Sequence, residues 1–588
     1  LFVAYLLFFS YFCNINCKLD LNLTFHWRIG ENFDDATVQN ITKSLKVPKS
    51  LAKVLVSRGL TDPEAARKYL NPSLSDLYDP FLMLQMEEAV DRILKARKNK
   101  EIIWVHGDYD ADGTSSVAML TDFLKSIGIR VLYYIPDRFT EGFGLSETSI
   151  TKAKNIGASL IISVDVGITA FNQALYAKKL GIDLIICDHH EPNEREPEAF
   201  SILDPLRPNC PYPFKNLSAS GVVFKLIQAI GQKLNLGDFV YSYLDLVAIA
   251  SISDMVPMID ENRIFVHYGV KNINENPRPG IRGLLYCTGL EKGEVLSTNI
   301  VYAMAPLINA AGRLGDANRS VEMLLQKDVN FAFRIAQELE EENRRRRLLD
   351  QQVFDEALPF AEEYLRFGKH RSLVLHNSSW HAGVIGIVAS RLVEKFKVPT
   401  ILLTTIDGLA KGSARSINNF DIYAALKKHD NLLIEYGGHR HAAGLTLKID
   451  DVPKLREKLD ELALSQITDE MLQPEIKIDC ELSFNELSPV LINSLNMMAP
   501  FGFSNDRPLF MARNVKSING IKFIGNNSFK FRAMQNNFVI DAIAPMLGNK
   551  ANLISNGKTF SIIYTIDGIG QGAIKFPQIN IKDIAPND

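Results

Sequence analysis

The sequence predicts an α/β fold: a doubly wound, largely parallel sheet joined by a long helix to a second α/β domain, then a small β-barrel. Three observations carry this expectation. From residue 102 onward, short apolar runs alternate with helical stretches, as strand–helix–strand units require. Residues 328–358 contain no Gly or Pro, and Glu340, Glu341 and Glu342 stand four residues before Arg344, Arg345 and Arg346, at the spacing of helical ion pairs. After Glu475 the chain breaks into short β-type runs separated by Asn, Gly and Ser, which fits a barrel.

At 588 residues the chain should hold roughly three or four domains. The expected divisions are an apolar leader at 1–46, a first α/β domain at 47–275 and a connecting region at 276–369. A second α/β domain at 370–470 and the barrel at 474–588 complete the chain. The run 1–12 is almost wholly apolar, but it is too short to span a bilayer as a helix. It begins with Leu and has no preceding Lys or Arg, so the true start is expected downstream, near Phe25. No membrane association is expected. The six cysteines form no CxxC pair, which argues against structural zinc and for a reducing, cytoplasmic setting.

In chain order, residues 48–59 and 61 onward read as small helices, the first closed by Gly59 and the second opened by Pro63. Residues 86–98 are helical. Strands follow at 102–105, 131–135, 160–166 and 184–187, with helices at 150–156 and 172–180 between them. The Pro-rich stretch 191–213 reads as loop, and 219–234 and 238–252 as helices. A helix of about 30 residues at 328–358 would run about 45 Å and link two domains, its arginines forming a solvated face. Strands at 372–375 and 400–404 bracket a helix opened by Trp380 and His381.

The chemistry collects at strand ends, where open α/β sheets place their ligands. The first strand delivers Asp108, Asp110 and Asp112 within five residues. One helix cap needs one Asp, not three; three crowded carboxylates call for a cation, and Mg2+ or Mn2+ prefers such oxygens. An EF-hand would need Glu at the twelfth loop position, which is Met119. Further stations stand at Asp165, at Asp188-His189-His190 and at Asp254. This Asp/His mixture suits one or two Mn2+ or Mg2+ ions better than Zn2+. Paired ions of that kind acidify water and clamp phosphoryl groups.

Residues 108–113 (Asp-Tyr-Asp-Ala-Asp-Gly), 164–167 (Val-Asp-Val-Gly), 188–190 (Asp-His-His) and 253–257 (Ser-Asp-Met-Val-Pro) resemble the four motifs of the DHH phosphoesterase superfamily. Residues 437–444 (Gly-Gly-His-Arg-His-Ala-Ala-Gly) resemble the glycine–histidine signature of its associated C-terminal domain. Segments 135–139, 142–146, 309–314, 380–386 and 412–416 are similar to those of the RecJ single-stranded-DNA exonucleases. The resemblance runs from about residue 48 to about residue 580.

It implies that Asp108, Asp110, Asp165, His189 and Asp254 hold Mn2+ or Mg2+. Asp112 is implied as a ligand or as a partner of one, and His190 as orienting a ligand or touching the scissile phosphate. It also implies hydrolysis of single-stranded DNA from the 5′ end to mononucleotides, in DNA repair and recombination. A single-strand-binding protein and a helicase are the implied protein partners, and a monomer the implied state. The residues themselves reach only metal-assisted phosphodiester hydrolysis with a single-strand preference. Competing readings are an oligoribonuclease or cyclic-dinucleotide phosphodiesterase of the same superfamily, and a catalytically dead replication scaffold.

For nucleic-acid contacts, Arg138 follows the second strand, and Arg278, Arg282, Arg313 and Arg319 could line the strand's path. His381, Arg415, His439 and His441 supply donors beside Gly-rich turns at Gly383/Gly386 and Gly437/Gly438. From residue 515 to 588 eight Lys/Arg oppose four Asp/Glu, a local balance of +4. There Phe523, Phe529, Phe531 and Phe538 alternate with Lys522, Lys530 and Arg532, a pattern that suits single-stranded nucleic acid on an OB-like barrel. Most of these phenylalanines should enter the core, leaving one or two for bases.

Overall fold

The computed structural model describes residues 25–30, 34–138, 140–472, 475–525, 527–555, 557–567 and 578–587. The apolar run 1–12 of the leader, with Cys13 and Cys17, lies outside them. The chain forms two compact units: Leu1–Ser73 with Gln473–Phe501 and Asn505–Asp588, and Leu74–Leu472 with Gly502–Ser504.

The first unit opens on β1 (His26–Ile29) and three short helices, Asp35–Leu45, Lys49–Ser57 and Pro63–Leu70. The carboxylates of Asp34 and Asp62 cap the first and third of these helices. Helices this short are marginal alone and fold where their apolar faces are covered. Val38, Ile41, Leu51, Leu55 and Ala66 are covered by the C-terminal barrel of the same unit. The sequence had placed residues 47–73 with the first α/β domain. Nearness in the chain pointed that way, and the apolar faces point the other.

The second unit contains the doubly wound sheet. Helix Met86–Asn99 leads into β2 (Ile102–Gly107), helix Ala111–Ser126 and β3 (Arg130–Tyr134). Helix Glu147–Asn155, β4 (Ala158–Val164), helix Phe171–Lys179, β5 (Asp183–Cys187) and β6 (Ser201–Leu203) follow. The order is β3-β2-β4-β5-β6 and every pairing is parallel. Ile103 and Val105 enter one core and Trp104 the other, so the sheet is covered on both faces. Strand β6 lies in the stretch expected to be loop: three buried residues flanked by prolines give no periodicity to read. The helix expected at 238–252 is a 3-10 turn, Gly237–Tyr243, continuing into helix Leu244–Ser253.

Helix Asp260–Glu275 precedes the connecting region, which helices Pro279–Cys287, Ala305–Leu314 and Asn318–Leu325 fill. The long helix is longer than expected, 39 residues from Val329 to Phe367 with Pro359 inside it. An interior proline costs about 3 kcal/mol in helical hydrogen bonding. Burial of Phe354, Ala357, Leu358 and Ala361 around it offsets that cost. The arginine run is not uniformly solvated. Arg344 pairs with Glu341 on the surface, whereas Arg346 is buried against Asn343 and Asp350. Arg391 reaches Asp350 from the neighbouring helix and lies 3.9 Å over the Phe354 ring.

A second sheet follows: β7 (Leu373–His376), helix Ala382–Phe396, β8 (Thr400–Ile406), β9 (Leu409–Arg415), helix Ile422–Lys428, β10 (Leu433–His439) and β11 (Ala442–Lys448). Its order is β10-β11-β9-β8-β7, with only β7 and β8 parallel. Helix Val452–Gln466 buries its apolar face in this sheet's core.

Back in the first unit, β12 (Glu475–Ile478) pairs with β1. Strands β13 (Cys480–Glu481), β14 (Phe510–Ile524), β15 (Ser528–Gln535), β16 (Phe538–Ala544), β17 (Phe560–Asp567) and β18 (Gln578–Pro586) form the barrel. The order β14-β15-β16-β18-β17 closes through a β14–β17 pairing. Among the described residues, no helix is long and apolar enough to cross a membrane.

Candidate metal centre and nucleic-acid interface

The strand order reverses between β2 and β4: the chain steps from β2 out to β3, then returns to the other side. Open sheets part their loops at such a point. Asp108 and Asp110 leave the end of β2 there, and Asp165 leaves the end of β4. His189 and His190 follow β5, and Asp254 ends helix Leu244–Ser253. Asp165 holds a left-handed φ of +64°, strained for a non-glycine residue. Its backbone N–H donates to the Cys187 carbonyl at 3.0 Å, which ties the two loops together.

Three overlapping groups bring their ligand atoms within 4.8 Å of one another: Asp108, Asp110 and Asp165; Asp112, His189 and Asp254; and Asp165, His189 and His190. His189 Nε2 lies 3.3 Å from Asp165 and 3.8 Å from Asp254. Every residue named for the centre is thus in one place. Asp108 is 4% exposed and its Oδ1 has no hydrogen-bond partner among the described residues. Burial, then the charge of Asp110, holds its pKa well above the usual carboxylate range. Burial and the neighbouring carboxylates do the same to Asp165. Burial raises Asp254 to about 7 against the opposing pull of His189. Burial opposes a charged His189, yet Asp254, Asp112 and Asp188 together keep its pKa above normal. An orphaned buried oxygen among carboxylates that disfavour their own charge fits a hard divalent cation, which would relieve both.

Two aspartates act behind this set. Both oxygens of Asp112 accept backbone N–H groups from the start of helix Ala219–Leu234, Ala219 and Ser220, each at 2.8 Å. Asp188 Oδ1 accepts from the His189 and His190 backbone and stands 2.7 Å from His190 Nδ1. Its Oδ2 accepts from Ile168 N at 2.9 Å. A carboxylate can only accept, so Nδ1 of His190 carries the hydrogen. Burial opposes both charges, but the pair prevails: His190 rises to about 9 and Asp188 falls to about 2.

The basic residues divide. Arg138 lies 5.0 Å over the Tyr109 ring, and the positive charges of Arg138, Arg346 and Arg415 add to burial in lowering Arg313 to about 10. Guanidinium groups crowded in this way have the chemistry to bind phosphate oxygens. Arg415 donates to Ser413 Oγ and to the Ala414 carbonyl, both at 2.8 Å. Arg278, expected along a strand path, is instead engaged by Asp245 in a part-buried bidentate pair of 2.6 and 2.7 Å. Arg319 is likewise held by Glu342. Arg282 donates to the Pro277 carbonyl at 3.0 Å.

The glycine pairs are not turns. Gly383 and Gly386 lie in helix Ala382–Phe396, which His381 caps through Nδ1, accepting from Gly383 N at 3.1 Å. Gly437 and Gly438 lie in β10, and only Arg440 and His441 turn between β10 and β11. Both His439 and His441 are exposed. The ring of His439 stacks on that of His190, 5.5 Å between centroids and 11° from parallel. On the barrel, Phe529 and Phe531 are buried whereas Phe523 and Phe538 are half exposed.

This geometry has counterparts among known proteins. Residues 102–251 match the DHH family N-terminal domain, 370–464 the DHHA1 domain and 478–583 the RecJ OB domain. The chain is 36% identical over 566 residues to the single-stranded-DNA-specific exonuclease RecJ of Bacillus subtilis, covering 96% of this chain and 71% of that protein. The chain belongs to the RecJ family. The Escherichia coli RecJ is 33% identical over 489 residues, covering 79% of this chain and 83% of that protein. The crystal structure of RecJ in complex with Mn2+ from Thermus thermophilus superposes with a TM-score of 0.82 and 25% identity. That match covers 96% of this chain and 80% of the other. The RecJ-like α/β architecture and the closed C-terminal barrel are therefore family features, and a Mg2+ complex of the Thermus protein matches as well.

Sequence reasoning assigned no individual role to three residues of this RecJ-type site. Asp188 was placed in the Asp-His-His station without a role of its own, and it orients His190. Phe143, 61% exposed, has its ring 6.4 Å from both Tyr109 and His190. Asn309, far along the chain, hydrogen-bonds the loop that bears Asp108 and Asp110. Phe143 and Asn309 lie in the segments 142–146 and 309–314 that resemble RecJ, but neither had been given a role of its own.

Proposed function

We propose that this chain is a metal-dependent exonuclease that hydrolyses single-stranded DNA from the 5′ end, releasing mononucleotides. The observation that carries this reading is the convergence of Asp108, Asp110, Asp165, His189 and Asp254 at the sheet's switch point, beside Arg138, Arg313 and Arg415. These five residues would hold one or two Mn2+ or Mg2+ ions, which when bound supply Lewis acidity and an acidified water. Asp112 and Asp188 keep their neighbours in register. His190, its Nδ1 engaged by Asp188, presents Nε2 to the reacting phosphate. The three arginines grip phosphate oxygens, and on the barrel Phe523 and Phe538 offer faces for bases.

This reading extends to work in DNA repair and recombination as a cytoplasmic monomer. A single-strand-binding protein and a helicase would be its partners. The test is digestion of 5′- and 3′-labelled strands and duplexes, DNA and RNA, with Mn2+ or with chelator. Labelled mononucleotide from the 5′ end of single-stranded DNA, lost in chelator, is expected. Equal cutting of duplex, or undiminished cutting in chelator, would overturn the reading.

A further inference from the structure

Asn309 sits in helix Ala305–Leu314, about two hundred residues from the aspartate loop, and nothing in its own helix requires it. Its Oδ1 accepts the backbone N–H of Ala111 at 2.8 Å. Ala111 opens helix Ala111–Ser126, whose first-turn N–H groups have no partner within the helix. Asp110 Oδ1 takes two of them, from Asp112 at 2.9 Å and Gly113 at 3.0 Å. The Asp110 carbonyl takes the N–H of Thr114 at 2.9 Å. The remaining donor, on a residue 1% exposed, is the one Asn309 satisfies.

The same helix is seated on the loop by shape. A Cβ at Gly312 would lie 2.3 Å from the Tyr109 carbonyl oxygen, so no larger residue fits without moving Tyr109, which stands between Asp108 and Asp110. At that helix's C-terminal end, a Cβ at Gly383 would lie 2.2 Å from the Arg313 carbonyl oxygen. Loop, helix Ala305–Leu314 and the start of helix Ala382–Phe396 are therefore stacked at backbone distance. A π-helical turn, Ile300–Met304, precedes helix Ala305–Leu314 directly. Its wider winding re-phases the helix, setting which face meets the loop. That face carries Asn309 and, four residues on, Arg313.

We infer that Asn309 is a positioning residue: it fixes the path of the backbone from Asp108 to Asp110, and with it the spacing of those carboxylates, relative to Arg313. This inference rests on the assignment of Asp108 and Asp110 to the metal centre. Without the Asn309 acceptor the Ala111 N–H is left unpaired, and the loop is free to shift by fractions of an ångström, which metal geometry registers.

The test is calorimetric titration of the full chain with Mn2+, beside steady-state kinetics on single-stranded DNA and a thermal melt. Asn309→Leu, similar in size but without an acceptor, should weaken Mn2+ binding at least tenfold. It should lower kcat by a similar factor, leaving KM within twofold. Asn309→Asp keeps the acceptor and should stay within threefold of the parent in Mn2+ affinity. Gly312→Ala keeps the hydrogen bond but pushes Tyr109, and should reproduce the leucine variant's signature; it stands in if Asn309→Leu fails to fold. Parental Mn2+ affinity in a folded Asn309→Leu or Gly312→Ala variant would overturn the role. So would an Asn309→Asp variant as weak as Asn309→Leu. A parent that takes up no Mn2+ would instead sink the metal assignment, and this inference with it.

Discussion

His190 and His439 face each other ring to ring, 5.5 Å apart and 11° from parallel, although one follows β5 of the first sheet and the other ends β10 of the second. The glycine–histidine segment of the second sheet thus reaches the Asp188-His189-His190 station of the first. On its other side His190 is held by Asp188, so its ring is fixed at both an edge and a face. A stacked ring pair contributes about 0.5–1.5 kcal/mol beyond its buried area. That is enough to hold an imidazole's orientation.

Truncating His439 to Ala should therefore lower kcat by about tenfold, equivalent to roughly 1.4 kcal/mol of transition-state stabilisation. The melting temperature should move little, since His439 is exposed. His439→Phe, which keeps the stack, should recover part of the rate. Parental turnover in the alanine variant would reduce the stack to packing.

The Asp188–His190 pair also sets a pH dependence in metal-free protein. His190 is raised to about 9 when folded, above an unfolded value of roughly 6.5. Its contribution is full below about pH 6.5 and lost as pH rises through about 9. Asp188 is lowered to about 2, so its contribution is full above roughly pH 4 and lost as pH falls through about 2. Thermal melts in chelator should show His190→Gln costing more at pH 6 than at pH 9.5. An equal cost at both values would mean that the pair carries no net charge–charge stabilisation.

Asp110→Ala and His189→Ala should each reduce hydrolysis by several orders of magnitude, because both belong to groups whose ligand atoms lie within 4.8 Å. Binding of single strands, measured by fluorescence anisotropy, should survive, since phosphate contacts elsewhere supply it. Near-parental turnover in saturating Mn2+ would remove either residue from the centre.

How much of this was legible in the sequence depended on whether a residue acts through its neighbours in the chain. Asp108 to Asp112 announce themselves because three carboxylates in five residues have no ordinary structural reason. Asp165, His189 and Asp254 could be added because each ends an element. Arg278 was misjudged since an isolated arginine looks the same in sequence whether it meets phosphate or, as here, Asp245. The short helices before Ser73 carried no sign of which apolar surface they would cover. Asn309 acts by one hydrogen bond across the fold, and Asp188 by orienting His190 two residues on; neither role can be told from the residue type alone.

Arg138→Ala should remove most of any preference for a 5′-phosphorylated end over a 5′-hydroxyl. Arg138 lies over Tyr109 and close enough to Arg313 and Arg415 for their charges to interact. A bidentate guanidinium–phosphate contact contributes about 1.5–3 kcal/mol. The ratio of kcat/KM on the two ends should therefore fall by roughly tenfold or more. An unchanged ratio would leave Arg138 as a lid on Tyr109.

The barrel's part in holding the strand is best tested without deleting it. A chain cut near Gln473, itself outside the described residues, would strip the cover from Val38, Leu51 and Leu55, which share the barrel's core. Loss of binding would then be confounded with loss of folding. Phe523 and Phe538 offer a cleaner route, being 57% and 50% exposed while Phe529 and Phe531 fill the core. If the exposed pair stacks on bases, each ring contributes about 1–3 kcal/mol. Phe523→Ala with Phe538→Ala should therefore weaken binding of a long single strand by at least about tenfold. Cutting of a very short oligonucleotide should be unchanged. The salt dependence should stay, because no cation is removed; Lys522→Ala with Lys530→Ala should instead make it shallower by about one to two charges' worth. Affinities for long and short strands at two salt concentrations, beside a melt of each variant, separate these effects. Unchanged long-strand affinity in the double phenylalanine variant would confine the two rings to surface packing.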